Sequence, residues 1–137
     1  TIKIDLLNNQ NKIILNSDKE QLGRVFFNLI KNSIESIQQK AEKVTNFNKK
    51  ISIEILEKSD HIKIILIDNG IGFNKANNIR EILNPYYTTK KNGTGLGLAI
   101  VNKIVNDHNG ELNFFQISEG AKIEIYFKKY GNRNSNS

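Results

Sequence analysis

The clearest pattern in the sequence is one long amphipathic helix. A capping box, with Ser17 as N-cap and Glu20 three residues later, predicts its start, and the pattern continues to about Ala41. Residues at three- and four-residue steps form its core-facing side, namely Leu22, Val25, Phe26, Leu29, Ile30, Ser33, Ile34 and Ile37. A second helix is predicted over Leu96–Asp107, with Gly110 in the usual position past a C-terminus.

Alternating apolar residues predict strands on both sides of these helices, at about residues 2–6, 12–15, 51–55, 62–67, 112–117 and 123–127. The first strand is expected to bury one face. The run Ile62–Ile67 is nearly all apolar, which indicates a central strand covered on both faces. The order is β-β-α-β-β-loop-α-β-β and predicts an α/β fold, a two-layer sandwich with helices on one face of a mixed sheet.

Composition narrows the class of protein. The 137 residues suffice for one domain with a real core, and no run reaches the roughly 18 apolar residues that cross a bilayer. The absence of cysteine fits a cytoplasmic location. The net charge is +6, but the lysines are scattered, so we expect no nucleic-acid partner and favour a polyanionic nucleotide. Thr1 as first residue and the lack of methionine suggest a piece of a longer protein.

Three glycines precede the second predicted helix, in Gly93-Thr94-Gly95-Leu96-Gly97-Leu98. A glycine-rich turn opening into a helix presents unpaired N–H groups at the positive end of the helix dipole, which favours phosphate. The run fits neither a Walker loop nor a dinucleotide fingerprint, because no Gly-Lys-Ser/Thr follows and no strand precedes it. A flexible hinge before an ordinary helix is the alternative.

Two further polar features lie on otherwise apolar elements. Asn28 and Asn32, one turn apart, lie at the margin of the apolar helix face together with Gln21 and Glu35. Asparagine is a poor helix former, so these amides either cap a neighbouring loop or belong to a ligand site. Asp68 ends a buried strand, where a carboxylate is costly unless it is paired or bound to a ligand.

The stretch at about residues 73–94 is weakly apolar apart from one predicted short helix that Pro85 ends. Long loops in compact domains are uncommon and often functional, so we expect a mobile lid. The predicted domain covers residues 1–130, and residues 131–137 are a polar tail expected to be disordered.

In this order and spacing, the motifs resemble the catalytic ATP-binding domain of sensor histidine kinases, within the superfamily shared with gyrase, heat-shock and mismatch-repair ATPases. Asn28-Leu29-Ile30-Lys31-Asn32 resembles the N box, Asp68-Asn69-Gly70-Ile71-Gly72 and Gly93–Leu98 the two glycine boxes, and Pro85–Lys90 the F box. The Tyr-Thr-Thr-Lys run is most similar to the nitrogen-sensor subgroup, although Tyr86 stands where that subgroup usually has phenylalanine. The resemblance implies a Bergerat-type fold with a mostly antiparallel sheet and an ATP lid.

The resemblance also implies roles for single residues. Asn32 would bind Mg²⁺ through its amide oxygen, Asn28 a phosphate or a metal-bound water, and Asp68 the adenine amino group. Gly70 and Gly72 would let the backbone close over the base. Lys90 would join Asn28 and Asn32 in catalysis by neutralising phosphate charge, as Lys31 could; a solvated surface lysine is the alternative for both. The remaining predicted contacts to ATP are Tyr87, Thr88, Thr89, Gly93, Thr94, Gly95, Leu96, Gly97 and Leu98.

The implied reaction is transfer of the γ-phosphate of Mg-ATP to a protein histidine in two-component signalling. Gyrase-type relatives place a water-activating glutamate where this chain has Asn28, so hydrolysis should be slow. The acceptor would lie on a dimerisation domain of the same full-length protein, with a response regulator downstream, because neither His61 nor His108 has the setting of an acceptor. The chain alone is expected to be a monomer. An anti-sigma-factor-type serine kinase and an ATP-driven clamp are the alternatives.

Overall fold

The computed structural model describes residues 1–8, 19–73 and 97–129. Within them, two helices and five strands follow one another along the chain. In order these are β1 (Lys3–Asn8), α1 (Lys19–Ala41), β2 (Lys50–Glu57), β3 (His61–Asp68), α2 (Gly97–Asp107), β4 (Gly110–Ile117) and β5 (Gly120–Lys128).

The five strands form one sheet in the order β1-β2-β3-β5-β4. β1 runs parallel to β2, and the other three neighbouring pairs are antiparallel. The parallel pair is possible because α1 connects β1 to β2, whereas short turns join β2 to β3 and β4 to β5. This confirms the predicted sandwich with a mixed, mostly antiparallel sheet.

The core lies between the sheet and the two helices, which also pack on each other. Alternate residues of β3 and β5 point into it, and each helix contributes the apolar face that its periodicity predicted. The fully buried side chains are mostly branched or aromatic, and the largest are Phe127, Leu29, Ile37, Ile51, Ile62, Leu66, Ile125, Val25, Val101 and Val105. Burial of these apolar side chains supplies most of the driving force for folding.

Two expectations about strand burial are wrong. β1 does not bury the apolar side of its alternation, because Ile4 and Leu6 are 49% and 63% exposed. β1 is the outermost of the described strands, so the helices that cover Ile51 and Ile53 on β2 do not cover Ile4 and Leu6. β3 is central as predicted, but only one of its faces is buried, and the residues on its other face are half-buried.

Helix α2 ends at Asp107, as predicted, with Gly110 beyond its C-terminus. Asn109, with φ of 58°, rather than Gly110 takes the left-handed conformation common after a helix. Gly110 instead begins β4, where a Cβ would lie 2.7 Å from the carbonyl oxygen of Tyr126 and 2.9 Å from the Phe127 ring. The predicted strand at 12–15, the Ser17 cap and the tail at 131–137 lie outside the described residues.

Gly120 and Gly23 allow a matched test of the packing. Gly120 has φ of +126°, and a Cβ there would collide with the backbone of Asp68 and Asn69, whereas a Cβ on Gly23, inside α1, meets nothing within 4 Å. We expect Gly120→Ala to lower the free energy of unfolding by more than ~2 kcal/mol. Gly23→Ala should raise it by about 0.5–1 kcal/mol, since alanine is the better helix former. Urea denaturation measures both, and similar effects of the two changes would contradict this packing.

Glu124 on β5 gives a pH-dependent prediction. Its carboxylate lies 3.0 Å from Lys122 Nζ and 3.2 Å from Lys63 Nζ. The Lys122 hydrogen bond lowers the pKa of Glu124 below the ordinary 4.5, against an opposing effect of burial. The unfolded chain therefore binds this proton more readily, so the stabilisation is present above pH 4.5 and is lost as the pH falls through the folded pKa. Glu124→Gln should flatten the acid limb of stability against pH, and an unchanged limb would refute this.

Candidate functional site

Helix α1 carries a line of four polar side chains at four-residue steps: Asn28, Asn32, Ser36 and Lys40. Since an α-helix rises 1.5 Å per residue, successive members are about 6 Å apart along the axis. The first two face the start of α2, and the last two contact the turn that follows β3. The helix thus connects two segments that are far apart in the chain.

At one end of this line, Gly97 begins α2 beside the two asparagine amides. A Cβ placed on Gly97 would lie 3.4 Å from Asn28 Oδ1 and 3.8 and 3.9 Å from the amide nitrogen and oxygen of Asn32. The Asn28 amide nitrogen donates to the Arg24 carbonyl at 2.8 Å, which fixes the side chain on the helix. A helix N-terminus beside two amides, with no side chain on the intervening glycine, is suited to an anion.

At the other end, Asp68 is the last residue of β3 and is 4% exposed. Its Oδ1 accepts a hydrogen bond of 2.9 Å from the Gly70 N–H, so the carboxylate is tied to the turn that follows it. A buried carboxylate needs such donors to offset the loss of water. The turn therefore determines the direction in which Asp68 is presented.

The turn lies directly against α1. Ser36 accepts hydrogen bonds from the Ile71 N–H, 3.2 Å to its carbonyl and 3.0 Å to its Oγ, and the same Oγ is 3.4 Å from the Gly72 nitrogen. One turn further along, Lys40 Nζ donates to the Asn69 carbonyl at 3.0 Å. Ser36 and Lys40 were missed from the sequence, although their positions four and eight residues after Asn32 were a usable signal.

The β4–β5 hairpin holds the turn from the other side. Gln116 Oε1 accepts a hydrogen bond of 2.7 Å from the Phe73 N–H. A Cβ on Gly72, which has φ of +81°, would lie 2.6 Å from Gln116 Nε2 and 2.8 Å from the Gly120 carbonyl. The Phe73 ring packs edge-to-face on Phe114, with centroids 5.4 Å apart. Gln116 was also missed from the sequence, where nothing distinguishes it from a surface residue of an edge strand.

Asn69, between the aspartate and the first glycine of the motif, fixes the loop before β2. Its Oδ1 accepts from the Lys50 N–H at 2.9 Å, and its Nδ2 donates to the Asn48 carbonyl. Lys40, bound to the Asn69 carbonyl, also lies 4.7 Å from the centroid of the Phe47 ring. The turn after β3 is therefore connected to α1, to the hairpin and to this loop.

The structure describes only some of the residues predicted for the site. Gly97 lies against Asn28 and Asn32, and Gly70 and Gly72 lie in the turn after Asp68. Lys31 is exposed on α1, and Leu98 is half-buried beside the core. The lid beyond Phe73 and the remaining predicted site residues lie outside the described residues, namely Tyr87, Thr88, Thr89, Lys90, Gly93, Thr94, Gly95 and Leu96. The predicted ligand roles of all these residues stay predictions.

The donor chemistry of the described site fits a nucleotide with Mg²⁺. In residues 1–8, 19–73 and 97–129, no group of three or more His, Cys, Asp or Glu side chains could hold a metal by itself. Mg²⁺ takes few protein ligands and completes its shell with water and phosphate oxygens, so one amide oxygen such as that of Asn32 is a sufficient protein ligand. Gly97, which has no side chain, brings the backbone at the start of α2 close to that amide.

Both histidines have local partners. His61 Nδ1 is 2.7 Å from Asp60 Oδ1, and its ring stacks on Tyr126 with centroids 4.4 Å apart. The hydrogen bond from His61 is the main reason why the pKa of Asp60 is lowered. His108 Nδ1 is 2.8 Å from the Ile104 carbonyl at the end of α2. These contacts support a structural role for each.

The chain is similar in sequence and fold to known proteins over most of its length. The family of histidine kinase-, DNA gyrase B- and HSP90-like ATPases matches residues 17–131. A putative sensor histidine kinase, NtrY-like, from Rickettsia felis is 40% identical over 111 residues, which are 80% of this chain and 17% of that protein. The nitrogen regulation protein NtrY of Azorhizobium caulinodans is 35% identical over 116 residues, 83% of this chain and 15% of that protein. The catalytic domain of histidine kinase ThkA superposes with a TM-score of 0.78 at 24% identity, covering 93% of this chain and 80% of that one.

The chain therefore belongs to the histidine kinase-, DNA gyrase B- and HSP90-like ATPase family. Within it, the chain is a catalytic domain of the sensor histidine kinase type, and its relatives confirm the predicted likeness to the nitrogen-sensor subgroup. It spans less than a fifth of the length of these two curated relatives. Neither described helix is long and apolar enough to cross a membrane.

Gly97→Ala tests the anion-binding end of the site. The 3.4 Å approach of the new methyl group to Asn28 Oδ1 is tolerable for the fold, but the methyl occupies the space beside the amides. We expect retained folding and an affinity for Mg-ADP at least about tenfold weaker, equivalent to ~1.4 kcal/mol. Isothermal titration calorimetry measures the affinity, with Gly23→Ala as a control glycine far from any contact. Wild-type affinity in Gly97→Ala would contradict an anion site at this helix start.

Proposed function

We propose that this domain binds Mg-ATP and donates its γ-phosphate to a histidine on a separate domain. The observation that carries the proposal is the position of Gly97, at the start of α2, against the amides of Asn28 and Asn32. These three residues belong to two motifs about 65 residues apart in the sequence, and their proximity supports a phosphate-binding role. Membership of an ATPase family supports ATP as the nucleotide.

The two ends of the line on α1 suggest how the nucleotide lies. Asp68, presented by the turn that Ser36 holds, would accept a hydrogen bond from the adenine amino group. The phosphates would extend toward Gly97 and the dipole of α2. In this orientation the base would lie at the turn after Asp68, and the phosphates would lie beside Asn28 and Asn32.

Magnesium would be held by the Asn32 amide oxygen together with phosphate oxygens and water. It would neutralise charge that develops during phosphoryl transfer. Asn28, one turn earlier, would bind a phosphate or a metal-bound water. Its Nδ2 donates to the Arg24 carbonyl, and its Oδ1 faces Gly97. An amide oxygen accepts hydrogen bonds, so a metal-bound water would be a better partner for Oδ1 than a phosphate.

Transfer to an external nucleophile suits this site better than hydrolysis. The carboxamide of Asn28 cannot take a proton from water, so the position gives water no general base. Phosphoryl transfer depends mainly on alignment and charge neutralisation, both of which a domain that only positions Mg-ATP can supply. The acceptor histidine would come from a dimerisation domain of the full-length protein, which would then serve a response regulator in the cytoplasm.

Labelled ATP tests the reaction. The chain incubated with γ-labelled Mg-ATP should bind the nucleotide without acquiring stoichiometric label. Addition of the histidine-bearing segment of the full-length protein should give acid-labile label on that segment, with stoichiometry approaching one. Acid-stable label would instead indicate a serine kinase, and rapid phosphate release without any labelled protein would indicate an ATPase clamp. Stoichiometric label on the chain alone would refute the proposal.

A further inference from the structure

The Ser36 hydroxyl is placed to control the turn that presents Asp68. We propose that Ser36 is a positioning residue for the adenine end of the nucleotide site. It would act by holding the turn after β3 on α1, without touching the ligand. This inference rests on the proposed function, because it assumes that Asp68 reads the base.

The hydrogen bonds show what the hydroxyl adds to the helix. From the turn after β3, the Ser36 carbonyl accepts the Ile71 N–H, at 3.2 Å. The Oγ, 3.0 Å from the Ile71 nitrogen and 3.4 Å from that of Gly72, accepts from both. Without the hydroxyl, the N–H of Gly72 loses the α1 acceptor that the structure gives it.

The turn transmits this contact to the carboxylate. Gly70 lies between Ser36 and Asp68: a Cβ on it would be 2.6 Å from the Ser36 carbonyl carbon and 2.7 Å from the Ile37 nitrogen. The Gly70 N–H donates to Asp68 Oδ1 at 2.9 Å. A change in the distance between turn and helix therefore changes the donor that orients Asp68.

The effect should be confined to the base. Ser36 is one turn further along α1 than Asn32, and the three atoms nearest to a Cβ on Gly97 belong to Asn28 and Asn32. Loss of the Ser36 hydroxyl leaves both amides and the start of α2 unchanged. Binding of an isolated phosphate chain should therefore not depend on it.

Ser33 provides a matched control on the same helix. It is 2% exposed, and its Oγ has no hydrogen-bond partner in the described part of the protein. Removal of an unpaired buried hydroxyl is neutral or stabilising, because nothing is lost except a desolvated polar group. Ser36→Ala removes a hydroxyl with two N–H partners, whereas Ser33→Ala removes one with no partner in the described part of the protein.

The experiment compares wild type with Ser36→Ala, Ser36→Thr and Ser33→Ala by calorimetric titration with Mg-ADP, adenosine and magnesium tripolyphosphate. We expect Ser36→Ala to weaken binding of ADP and adenosine by roughly tenfold and to leave tripolyphosphate binding unchanged. Ser36→Thr keeps an acceptor oxygen and should recover most of the affinity. Ser33→Ala should bind all three ligands like wild type.

Amide hydrogen exchange in the free wild-type protein gives a readout that does not require the alanine variant to fold. The N–H groups of Ile71 and Gly72 should be protected, and in a folded Ser36→Ala the N–H of Gly72 should exchange at least tenfold faster, whereas that of Ile71 keeps the Ser36 carbonyl as acceptor. Rapid exchange of both amides in wild type would overturn the inference. So would an equal loss of ADP and tripolyphosphate affinity in Ser36→Ala, because the residue would then be merely structural.

Failure of this inference is distinct from failure of the proposed function. If wild type binds no ADP, the proposed function falls and the positioning role falls with it. If wild type binds ADP and Ser36→Ala binds it equally well, only the role of Ser36 is overturned.

Discussion

The contact between α1 and the turn after β3 is the constraint on which the position of Asp68 depends. The two backbones approach so closely at Gly70 that a side chain there would overlap Ser36 and Ile37. Because no side chain separates them, the helix acts as a template for the turn, and the hydrogen bonds from Ile71 and Gly72 fix its position. The burial of Asp68 follows from this close approach.

The sheet and the hairpin supply the opposing surface. β3 is paired with β2 and β5, so Asp68 leaves a strand that is held on both edges. Gly120 and Gln116 close on the turn from the hairpin, and Gly120 does so in a conformation that suits only glycine. Helix, sheet and hairpin therefore together hold the turn after β3, whose two glycines contribute no side-chain contacts.

The sequence was sufficient for the described elements and their order, because apolar residues recur with a period of 3.6 in the helices and 2 in the strands. It was insufficient where the partner is remote: Ser36 and Gln116 meet the turn across 35 and 43 residues of chain. Alternation in β1 predicted a buried face but could not reveal that its position at the sheet edge leaves Leu6 uncovered. For the site, the motifs predicted a set of nucleotide-binding residues, and the folded chain showed that Gly97 lies beside both asparagines.

Helix α1 contacts both the start of α2 and the turn after β3, and this limits how the nucleotide preference of the domain can change. In the proposed binding mode, sliding or rotating α1 would displace Asn32 and Ser36 together, so a change of base preference through helix movement would also misalign the triphosphate. Substitutions confined to the Asn69–Gly72 segment and its neighbours in the β4–β5 hairpin would leave α1, and therefore Asn32, in place. Divergent nucleotide selectivity among related domains should accordingly map to that segment, with the helix left alone.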